Sequence, residues 1–458
     1  MNRRQAIAAL SAPAILKAQR RKLNVLWILG DDLGPFLGCY GYPAVRTPNI
    51  DRLAGESARF THAFTTAPVC SASRSAFNTG VYQTTTGTHN HRSHRNDGYT
   101  LPAGVRLISD RFRDAGYFTA NVLDLAPGVR GIGKTDFNWQ AKKPFDGTHW
   151  NQRAKDQPFY AQINFIAPHK GASFTESRKQ KNLVNPATVP LPPFYPDHPV
   201  VRDEVANYCD AVHLLDMQVG VTLDLLKKDG LLDNTAIFFF GDNGRCLIRG
   251  KQWLYDAGTH VPLMVRWPEA VAKGSVREDL VSILDVTAQS LECAGIPIPE
   301  NFHGRPLFGS KAKPRDFVFT ARDRCDMTVD RIRAARSKRY KYIRNFMPDR
   351  PYTQFNEYIT QQYPTQRVMK ELHAQGKLNA VQSLFMADRK PPVEFYDLRE
   401  DPHEIRNLAN SPAHKAALAE HSARLESWIK ETKDKGEIPE TRETIEREEP
   451  RAKDAPKA

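Results

Sequence analysis

Leu23-Asn24-Val25-Leu26-Trp27-Ile28-Leu29 is an almost unbroken apolar run that ends at Gly30. Such a run is typical of a strand that is buried on both faces of a parallel sheet. Further strands are predicted at 118–123, 159–166 and 236–240, and helices between them at 51–57, 108–115 and 205–228. Because strands alternate with helices along this part of the chain, the sequence predicts an α/β sandwich.

The pattern changes at about residue 331, where a smaller α+β unit is predicted. Strand-like stretches occur at 339–343 and 394–398, and a helix is predicted at 413–432. We therefore expect a large domain over residues 21–330 and an α+β subdomain over residues 331–433. Residues 434–458 are highly charged and contain almost no apolar side chains, which predicts a flexible tail.

The composition is basic, with 65 Lys and Arg against 52 Asp and Glu and a net charge of +13 over 458 residues. Basic proteins bind anionic partners such as nucleic acids, anionic lipids or sulfated and phosphorylated substrates. The chain has no known nucleic-acid motif and no basic run interleaved with aromatic residues, so nucleic acid is not expected as a partner. The six cysteines form no C-x-x-C pair, which argues against a zinc ribbon or a dense disulfide framework.

The first 20 residues have the features of a twin-arginine export signal. Arg3 and Arg4 precede a short apolar stretch from Ala6 to Leu16, and Lys17 follows it. A basic N-terminal helix is the alternative for this segment. The signal predicts export to the periplasm or the extracellular space, and no other stretch offers the roughly 18 uninterrupted apolar residues of a stable membrane anchor.

Two oxygen-rich pairs follow the two most apolar strands. Asp31-Asp32 comes after the first strand, and Asp242-Asn243 comes after the strand at 236–240. In open α/β sheets ligands bind at the carboxyl ends of the strands, so the four side chains can meet at one point. Three carboxylates and one amide suit a hard divalent cation such as Ca²⁺ or Mg²⁺, and Ca²⁺ is the one we expect. Taken alone, each pair also fits a turn or a helix cap.

Cys70 opens the run Cys70-Ser71-Ala72-Ser73-Arg74. A helix is predicted from Ser71 to Thr79 with Gly80 as its C-cap. Cys70 would then lie at a helix N-terminus, a position that favours an anion. The alternatives for a cysteine in this place are a reactive thiol and a buried side chain.

The stretch from Cys70 to Gly80 resembles the signature of type I sulfatases, in which this cysteine is oxidised to formylglycine. Other stretches resemble the same family in the same order: Asp31-Asp32, Gly133-Lys134, Ala167-Pro168-His169, Asp242-Asn243-Gly244, Gly250-Lys251-Gln252-Trp253-Leu254-Tyr255, Phe395-Tyr396-Asp397-Leu398, Asp401-Pro402 and Asn407-Leu408-Ala409. The resemblance extends from about residue 23 to 430. It implies an alkaline-phosphatase-like fold, with a mixed, largely parallel sheet sandwiched by helices and a smaller C-terminal α+β domain.

The resemblance also implies a role for each matching residue. The metal ligands would be Asp31, Asp32, Asp242, Asn243 and the modified Cys70, and the metal would be Ca²⁺ or Mg²⁺. The catalytic residues would be Cys70, Arg74, Lys134, His169 and Lys251. In that scheme Arg74 lies beside the hydrated aldehyde, and Lys134 and Lys251 hold the sulfate oxygens. His169 lies near the leaving group. A formylglycine-generating or cysteine-oxidising maturation enzyme is an implied partner.

The implied chemistry addresses the main obstacle to sulfate ester hydrolysis. The oxygens of a sulfate monoester repel nucleophiles, and a cation with basic side chains would neutralise this charge in the transition state. One hydroxyl of the aldehyde hydrate would attack sulfur. The second would let the covalent sulfate ester collapse to the aldehyde with loss of sulfate.

Three positions depart from the family pattern, and one of them is Phe77, which stands where leucine is usual. Ala72 stands where proline is common, which is a tolerated change. Asp136 stands where many sulfatases have a histidine two residues after the lysine. The resemblance therefore implies no role for Asp136.

Three basic residues are candidates for substrate contacts: His94, Arg245 and Arg249. His94 lies in the basic stretch from Gly87 to Arg95, for which a surface loop is the alternative. The compact C-terminal part and the Arg-rich stretch 322–344 resemble N-sulfoglucosamine sulfohydrolases and related bacterial glycan sulfatases. The expected substrate is therefore a sulfate ester or sulfamate on a sulfated glycan.

Two other functions stay open from the sequence. The same scaffold and aldehyde hydrate can serve phosphorus chemistry, which would make the protein a phosphodiesterase or phosphonate monoester hydrolase. A non-catalytic protein that binds sulfated glycans is the second alternative, although the intact set of acidic and basic residues argues against it.

Overall fold

The computed structural model describes residues 22–181, 183–268 and 270–448. The export signal predicted for residues 1–20 lies outside the described residues, as do residues 449–458 of the predicted tail. Within the described ranges, no helix combines the length and the apolar character needed to cross a membrane.

The described residues form helices and strands that alternate over the first two thirds of the chain. The strands are β1 (Asn24–Gly30), β2 (Ala58–Phe64), β3 (Phe118–Val122), β4 (Asp124–Ala126), β5 (Val129–Arg130), β6 (Phe159–Phe165), β7 (Thr235–Gly241), β8 (His260–Arg266), β9 (Ser275–Ser282), β10 (Val318–Arg322), β11 (Ile332–Arg336), β12 (Tyr340–Asn345) and β13 (Val393–Asp397). The α-helices are α1 (Pro48–Gly55), α2 (Cys70–Phe77), α3 (Gln83–Thr86), α4 (Ile108–Asp114), α5 (Ala172–Ser177), α6 (Pro199–Lys228), α7 (Asp256–Thr259), α8 (Leu284–Cys293), α9 (Glu357–Gln362), α10 (Pro364–Ala374), α11 (Ala380–Ser383), α12 (Lys415–Glu431) and α13 (Arg442–Glu448).

Seven strands form the main sheet in the order β3-β6-β1-β7-β8-β2-β9. Strands β3, β6, β1 and β7 run parallel to one another, whereas β8 is antiparallel to both of its neighbours. Strands β2 and β9 are parallel to each other. The predicted fold class is confirmed, because the sheet is mixed, largely parallel and packed between helices.

Strand β1 is buried along its whole length in the middle of this sheet. Leu26 and Ile28 pack into the core on one face, which α6 covers with residues such as Leu215. Trp27 packs into the core on the other face, beside Val286 of α8. Because both faces of β1 are covered, its sequence is apolar at nearly every position rather than alternating.

The strand register sets the position of the candidate site. Gly30 at the end of β1 pairs with Phe165 at the end of β6 and with Gly241 at the end of β7. Three parallel strands therefore end at the same level. The residues that follow them, Asp31 and Asp242 among them, emerge side by side at the carboxyl edge.

A second, antiparallel sheet contains β10, β11, β12 and β13 in that order, with Leu425 and Trp428 of α12 in its core. The predicted strands at 339–343 and 394–398 correspond to β12 and β13. The sheet begins at Val318, earlier than the predicted boundary at residue 331, because β10 pairs with β11 along its whole length.

Residues 434–448 differ from the predicted flexible tail. Asp434 accepts hydrogen bonds from Arg333 Nε at 2.5 Å and Nη2 at 2.9 Å. Glu440 binds Arg324, and Ile445 in α13 is buried. The composition predicts that the acidic side chains of this segment are solvated, but they neutralise buried arginines. The prediction of a flexible tail is therefore corrected for residues 434–448.

Two helix boundaries also differ from prediction. Helix α6 begins at Pro199, because the His198 side chain accepts a hydrogen bond from the Val200 N–H and caps it. Helix α2 begins at Cys70 and ends at Phe77, so the predicted cap Gly80, with φ +73, lies beyond its end.

Candidate active site

Four polar side chains follow β1 and β7 and are completely buried: Asp31, Asp32, Asp242 and Asn243. The Asp32 backbone N–H donates to Asp242 Oδ1 at 3.0 Å. The Asn243 side-chain amide donates to Asp32 Oδ1 at 2.8 Å. The two predicted pairs therefore form one cluster at the carboxyl edge of the sheet.

Cys70 is the first residue of α2, and its thiol lies in the same cluster. Its Sγ is 3.5 Å from Asp31 Oδ1 and 3.7 Å from Asp32 Oδ1. The Ser73 hydroxyl donates to the main-chain carbonyl of Asp242 at 2.5 Å. This bond anchors the first turn of α2 to the end of β7 and so holds Cys70 beside the aspartates.

Arg74 lies one turn further along α2, on the same face of the helix as Cys70. Its Nε donates to Asp242 Oδ2 at 2.9 Å, and its Nη1 donates to Asn164 Oδ1 at 2.6 Å. Asn164 is a residue of the site that the sequence did not predict. A polar side chain near the end of a buried strand is the signal that could have identified it.

Two lysines from different loops neutralise the first aspartate pair. Lys134 Nζ lies 2.7 Å from Asp31 Oδ2. Lys251 Nζ lies 2.8 Å from Asp32 Oδ2 and 3.3 Å from Cys70 Sγ. The lysines that the sequence predicts at the site therefore lie within direct contact distance of the acidic cluster.

His169, in the loop after β6, completes the group. Its Nδ1 donates to the Lys170 carbonyl at 2.7 Å, and its Nε2 lies 3.7 Å from Asp32 Oδ2. One ligand atom from each of Asp31, Asp32, Cys70 and His169 lies within 4.8 Å of the others. These four side chains form a group that could hold a metal ion.

Burial and charge together set the ionisation of the cluster. Burial acts to raise the pKa of Asp31, but the charges of Lys134 and other basic groups hold that pKa well below its usual range. Burial raises the pKa of the Cys70 thiol well above its usual value, with Asp31 and Asp32 acting in the same direction. Burial also lowers the pKa of His169. The thiol is therefore protonated at neutral pH and is a poor nucleophile in this form.

Three carboxylates face three basic side chains in the cluster: Asp31, Asp32, Asp242, Arg74, Lys134 and Lys251. A divalent cation would leave two surplus positive charges, which would favour an anionic ligand. The side-chain oxygen of Asn243 is buried and has no hydrogen-bond partner among the described residues. A buried oxygen beside carboxylates is a ligand that a hard cation prefers, so the donor set fits Ca²⁺.

The structure does not bring His94 and Arg249 to this cluster. His94 Nδ1 pairs with Asp97 Oδ2 at 2.7 Å, and its Nε2 bonds a main-chain carbonyl of its own loop. Arg249 is 5% exposed and donates to the carbonyls of His403 and Glu404. His94 therefore stabilises its own loop, and Arg249 ties its loop to the distant segment that contains His403. These contacts correct the expectation that the two side chains bind substrate.

Arg245 faces another part of the surface. It lines a cavity of about 490 Å³ together with Phe36, Tyr42 and Phe194. Its guanidinium group lies over the Phe36 ring, 5.0 Å from the ring centre. Substrate contact by Arg245 would therefore occur in a cavity separate from the Cys70 cluster.

Tyr208 of α6 is a supporting residue that the sequence did not predict. Its hydroxyl donates to the Asp32 carbonyl at 2.9 Å and accepts from the Gly34 N–H at 3.0 Å. A phenol on the apolar stripe of a buried helix was the available signal, because buried tyrosine hydroxyls find a partner. Tyr208 supports the turn that carries the first aspartate pair.

Comparisons with known proteins agree with this geometry. A family model described as Sulfatase matches residues 23–296, and one described as N-sulphoglucosamine sulphohydrolase, C-terminal, matches residues 247–387. An ulvan-active sulfatase from Formosa agariphila is 31% identical, over 91% of this chain and 76% of its own. The human N-sulphoglucosamine sulphohydrolase is 27% identical, over 90% of this chain and 91% of its own.

A solved structure described as a 2-O GAG sulfatase has the same overall fold. It superposes with a TM-score of 0.66 and covers 90% of this chain and 93% of its own, at 20% sequence identity. At this identity the likeness concerns the fold alone.

Proposed function

The chain belongs to the sulfatase family of sulfuric ester hydrolases, and we propose that it removes a sulfate ester or sulfamate group from a sulfated glycan. The observation that carries the proposal is the burial of Cys70 between Asp31, Asp32 and Lys251. A thiol held in this way is protonated, so the proposal includes oxidation of Cys70 to formylglycine by a maturation enzyme. The hydrated aldehyde would then be the nucleophile.

Two lysines near Cys70 are assigned to the sulfate group. Lys251 lies 3.3 Å from Cys70 Sγ, and Lys134 approaches from the opposite loop. Both can bind oxygens whose negative charge grows in the transition state. We assign Arg74 to positioning the metal ligand Asp242. We assign His169, whose Nδ1 is already held by a carbonyl, to the leaving group.

A calcium ion is the proposed cofactor, with Mg²⁺ as the alternative. Its ligands would be the side chains gathered at the strand ends: Asp31, Asp32, Asp242, Asn243 and the oxidised residue 70. When bound, the cation supplies positive charge beside the nucleophile and the sulfate. The orphaned oxygen of Asn243 supports this assignment.

The glycan substrate is proposed from the relatives. One relative is an ulvan-active sulfatase and another is an N-sulphoglucosamine sulphohydrolase. Both align with 90% or more of this chain. We also propose that residues 1–20 direct export, which would bring the enzyme to extracellular polysaccharides.

Two measurements test the proposal. Peptide mass spectrometry across residues 59–74 should show a loss of roughly 18 Da, as expected when a thiol is converted to an aldehyde. The converted protein should release sulfate from a panel that includes ulvan oligosaccharides and N-sulfoglucosamine. Cys70→Ala should release none, whereas Cys293→Ala, which changes a cysteine outside the cluster, should match the unaltered protein.

A phosphodiesterase or phosphonate monoester hydrolase is the alternative on the same scaffold. An aryl phosphate diester and an aryl phosphonate monoester belong in the same panel. Faster turnover of these compounds than of every sulfated sugar would overturn the sulfatase assignment. Full activity of Cys70→Ala would overturn the mechanism.

A further inference from the structure

A cavity of about 440 Å³ lies beside the Cys70 cluster. Its lining includes Arg92, Arg95, Lys134, Asp136 and Trp139. Lys134 belongs to both places, because it lines the cavity and its Nζ lies 2.7 Å from Asp31 Oδ2. A sugar whose sulfate reaches Cys70 can therefore extend into this cavity.

Arg92 is the unusual member of the lining. Its guanidinium group has no hydrogen bond and no ion pair with any residue in the described ranges, and its Nε is buried. The Arg92 backbone N–H donates to Ser71 Oγ at 2.9 Å, which ties the residue to the one after Cys70. A partly buried arginine without a partner is costly, because desolvation of a charge needs a compensating anion.

The neighbouring carboxylates are already engaged. Asp136 Oδ1 accepts from Arg95 at 2.5 Å, and Asp136 Oδ2 lies 3.5 Å from Lys134 Nζ. Asp326 pairs with His91 Nδ1 at 3.0 Å. These carboxylates keep Arg92 charged: burial acts to lower its pKa, but Asp136 and Asp326 raise it above its ordinary value. Arg92 is thus a cation held next to the cavity and free to bind an incoming group.

Aromatic residues also line the cavity. Trp139 lines it and stacks on Phe137, with ring centres 4.9 Å apart and an interplanar angle of 8°. The stacking fixes the indole ring of Trp139, which is 7% exposed and therefore offers the cavity only part of its surface. The cavity thus combines an aromatic wall with a cation that has no partner among the described residues.

We propose that Arg92 binds a second anionic group, a carboxylate or a further sulfate, on the sugar that carries the scissile sulfate or on its neighbour. This inference rests on the proposed function and narrows the substrate to glycans with two anionic groups close together. The sequence suggested Arg245 and Arg249 as candidates for substrate contact. The proposed contact with the second anion lies instead in the cavity beside Lys134.

Three matched disaccharides with the same scissile sulfate test the proposal: one otherwise neutral, one with a neighbouring carboxylate and one with a neighbouring second sulfate. We expect the unaltered enzyme to favour at least one anionic disaccharide over the neutral one by about tenfold or more in kcat/KM. Arg92→Gln should lose this preference mainly through KM. Arg92→Lys should retain part of it, and Arg106→Gln, an exposed arginine elsewhere, should retain all of it.

Binding to Cys70→Ala protein by calorimetry, with the same three disaccharides, separates the inference from the proposed function. If no disaccharide releases sulfate, the proposed function fails, but the binding preference for a second anion still decides the role of Arg92. The inference is overturned if the neutral and anionic disaccharides bind and react equally well. It is also overturned if Arg92→Gln weakens all three by the same factor.

Discussion

Lys251 contacts both a metal-ligand candidate and the catalytic cysteine. Its ammonium group is buried, contacts the Asp32 carboxylate at 2.8 Å and lies 3.3 Å from the Cys70 sulfur. Burial acts to lower the pKa of Lys251, but Asp32 and the other negative groups raise it well above its ordinary value. Lys251 therefore stays charged and can serve both the metal ligand Asp32 and the bound sulfate.

Replacement of Lys251 tests its proposed role at the sulfate. Lys251→Met should lower kcat by about 10²- to 10³-fold, the usual effect of removing one group that stabilises transition-state charge. Steady-state kinetics on a sulfated substrate would measure the loss. Lys227→Met, a change in an exposed lysine at the end of α6, should leave kcat unchanged, and a loss below about threefold for Lys251→Met would contradict the assignment.

At the scale of elements, the site depends on three parallel strands that end at one level. Asp31 and Asp32 leave β1 next to the start of the Asp242-Asn243 turn after β7, while Asn164 comes from β6. A ligand that binds residues from several strand ends should stabilise the whole sheet, because it binds the folded state and not the unfolded chain.

Calcium should therefore raise the thermal stability of the protein. After chelation, added Ca²⁺ at 100 times its dissociation constant should increase the free energy of unfolding by about 2.7 kcal/mol. Differential scanning calorimetry with and without calcium measures this shift independently of activity. Asp32→Asn should abolish the shift, whereas Asp224→Asn on the exposed face of α6 should preserve it. A shift of equal size in both variants would count against the proposed site.

A buried carboxylate of α6 also holds α1 in place. Asp216 Oδ1 accepts from the backbone N–H groups of Asn49 and Ile50 at 3.0 and 2.8 Å, and Oδ2 accepts from the Asn49 side chain at 2.9 Å. These bonds satisfy the free N–H groups in the first turn of α1 from outside that helix. The contact replaces a side-chain cap, since Thr47 makes none.

Asp216→Ala should lower the free energy of unfolding by about 1–3 kcal/mol, because buried donors lose their acceptor. Urea denaturation would measure the difference. Asp224→Ala, whose carboxylate forms an exposed ion pair with Arg52, should change the stability by less than about 1 kcal/mol. Equal losses in the two variants would show that the cap contributes nothing beyond a surface pair.

At the scale of the whole molecule, histidines in buried and half-buried places make the fold sensitive to acid. Burial lowers the pKa of His89 and of His260 from 6.5 to about 4. The unfolded chain therefore binds protons that the folded protein does not accept. Their contribution to stability is complete above about pH 6.5 and is lost as the pH falls from 6.5 toward 4.

Each of these histidines should reduce the free energy of unfolding by about 2 kcal/mol between pH 7.5 and pH 5. Urea denaturation at a series of pH values measures the change. His260→Asn should lose about 2 kcal/mol less than the unaltered protein over this interval, whereas replacement of the exposed His373 should make no difference. A pH profile of His260→Asn parallel to that of the unaltered protein would contradict this explanation.

Local patterns in the sequence were sufficient for the fold class and the ends of the main strands. The apolar run at β1 and the glycines after β1 and β7 predict buried parallel strands, because burial on both faces leaves a continuous apolar signature. The same local signals placed Asp31 and Asp242 at strand ends. They failed for residues 434–448, whose charges pair with arginines more than 100 positions away in the chain.

The sequence by itself determined the order of strands and helices along the chain and the family resemblance. It also determined which residue types are available to bind a metal and a sulfate. Only the tertiary structure decided which side chains meet. Lys134 reaches Asp31 and Lys251 reaches Asp32 across separations of 103 and 219 residues. The tertiary structure also places His94 and Arg249 outside the cluster, and it gives the Arg92 guanidinium no partner among the described residues. The physical reason is that a strand records its own burial in its sequence, whereas an ion pair depends on loops that the fold brings together from distant parts of the chain.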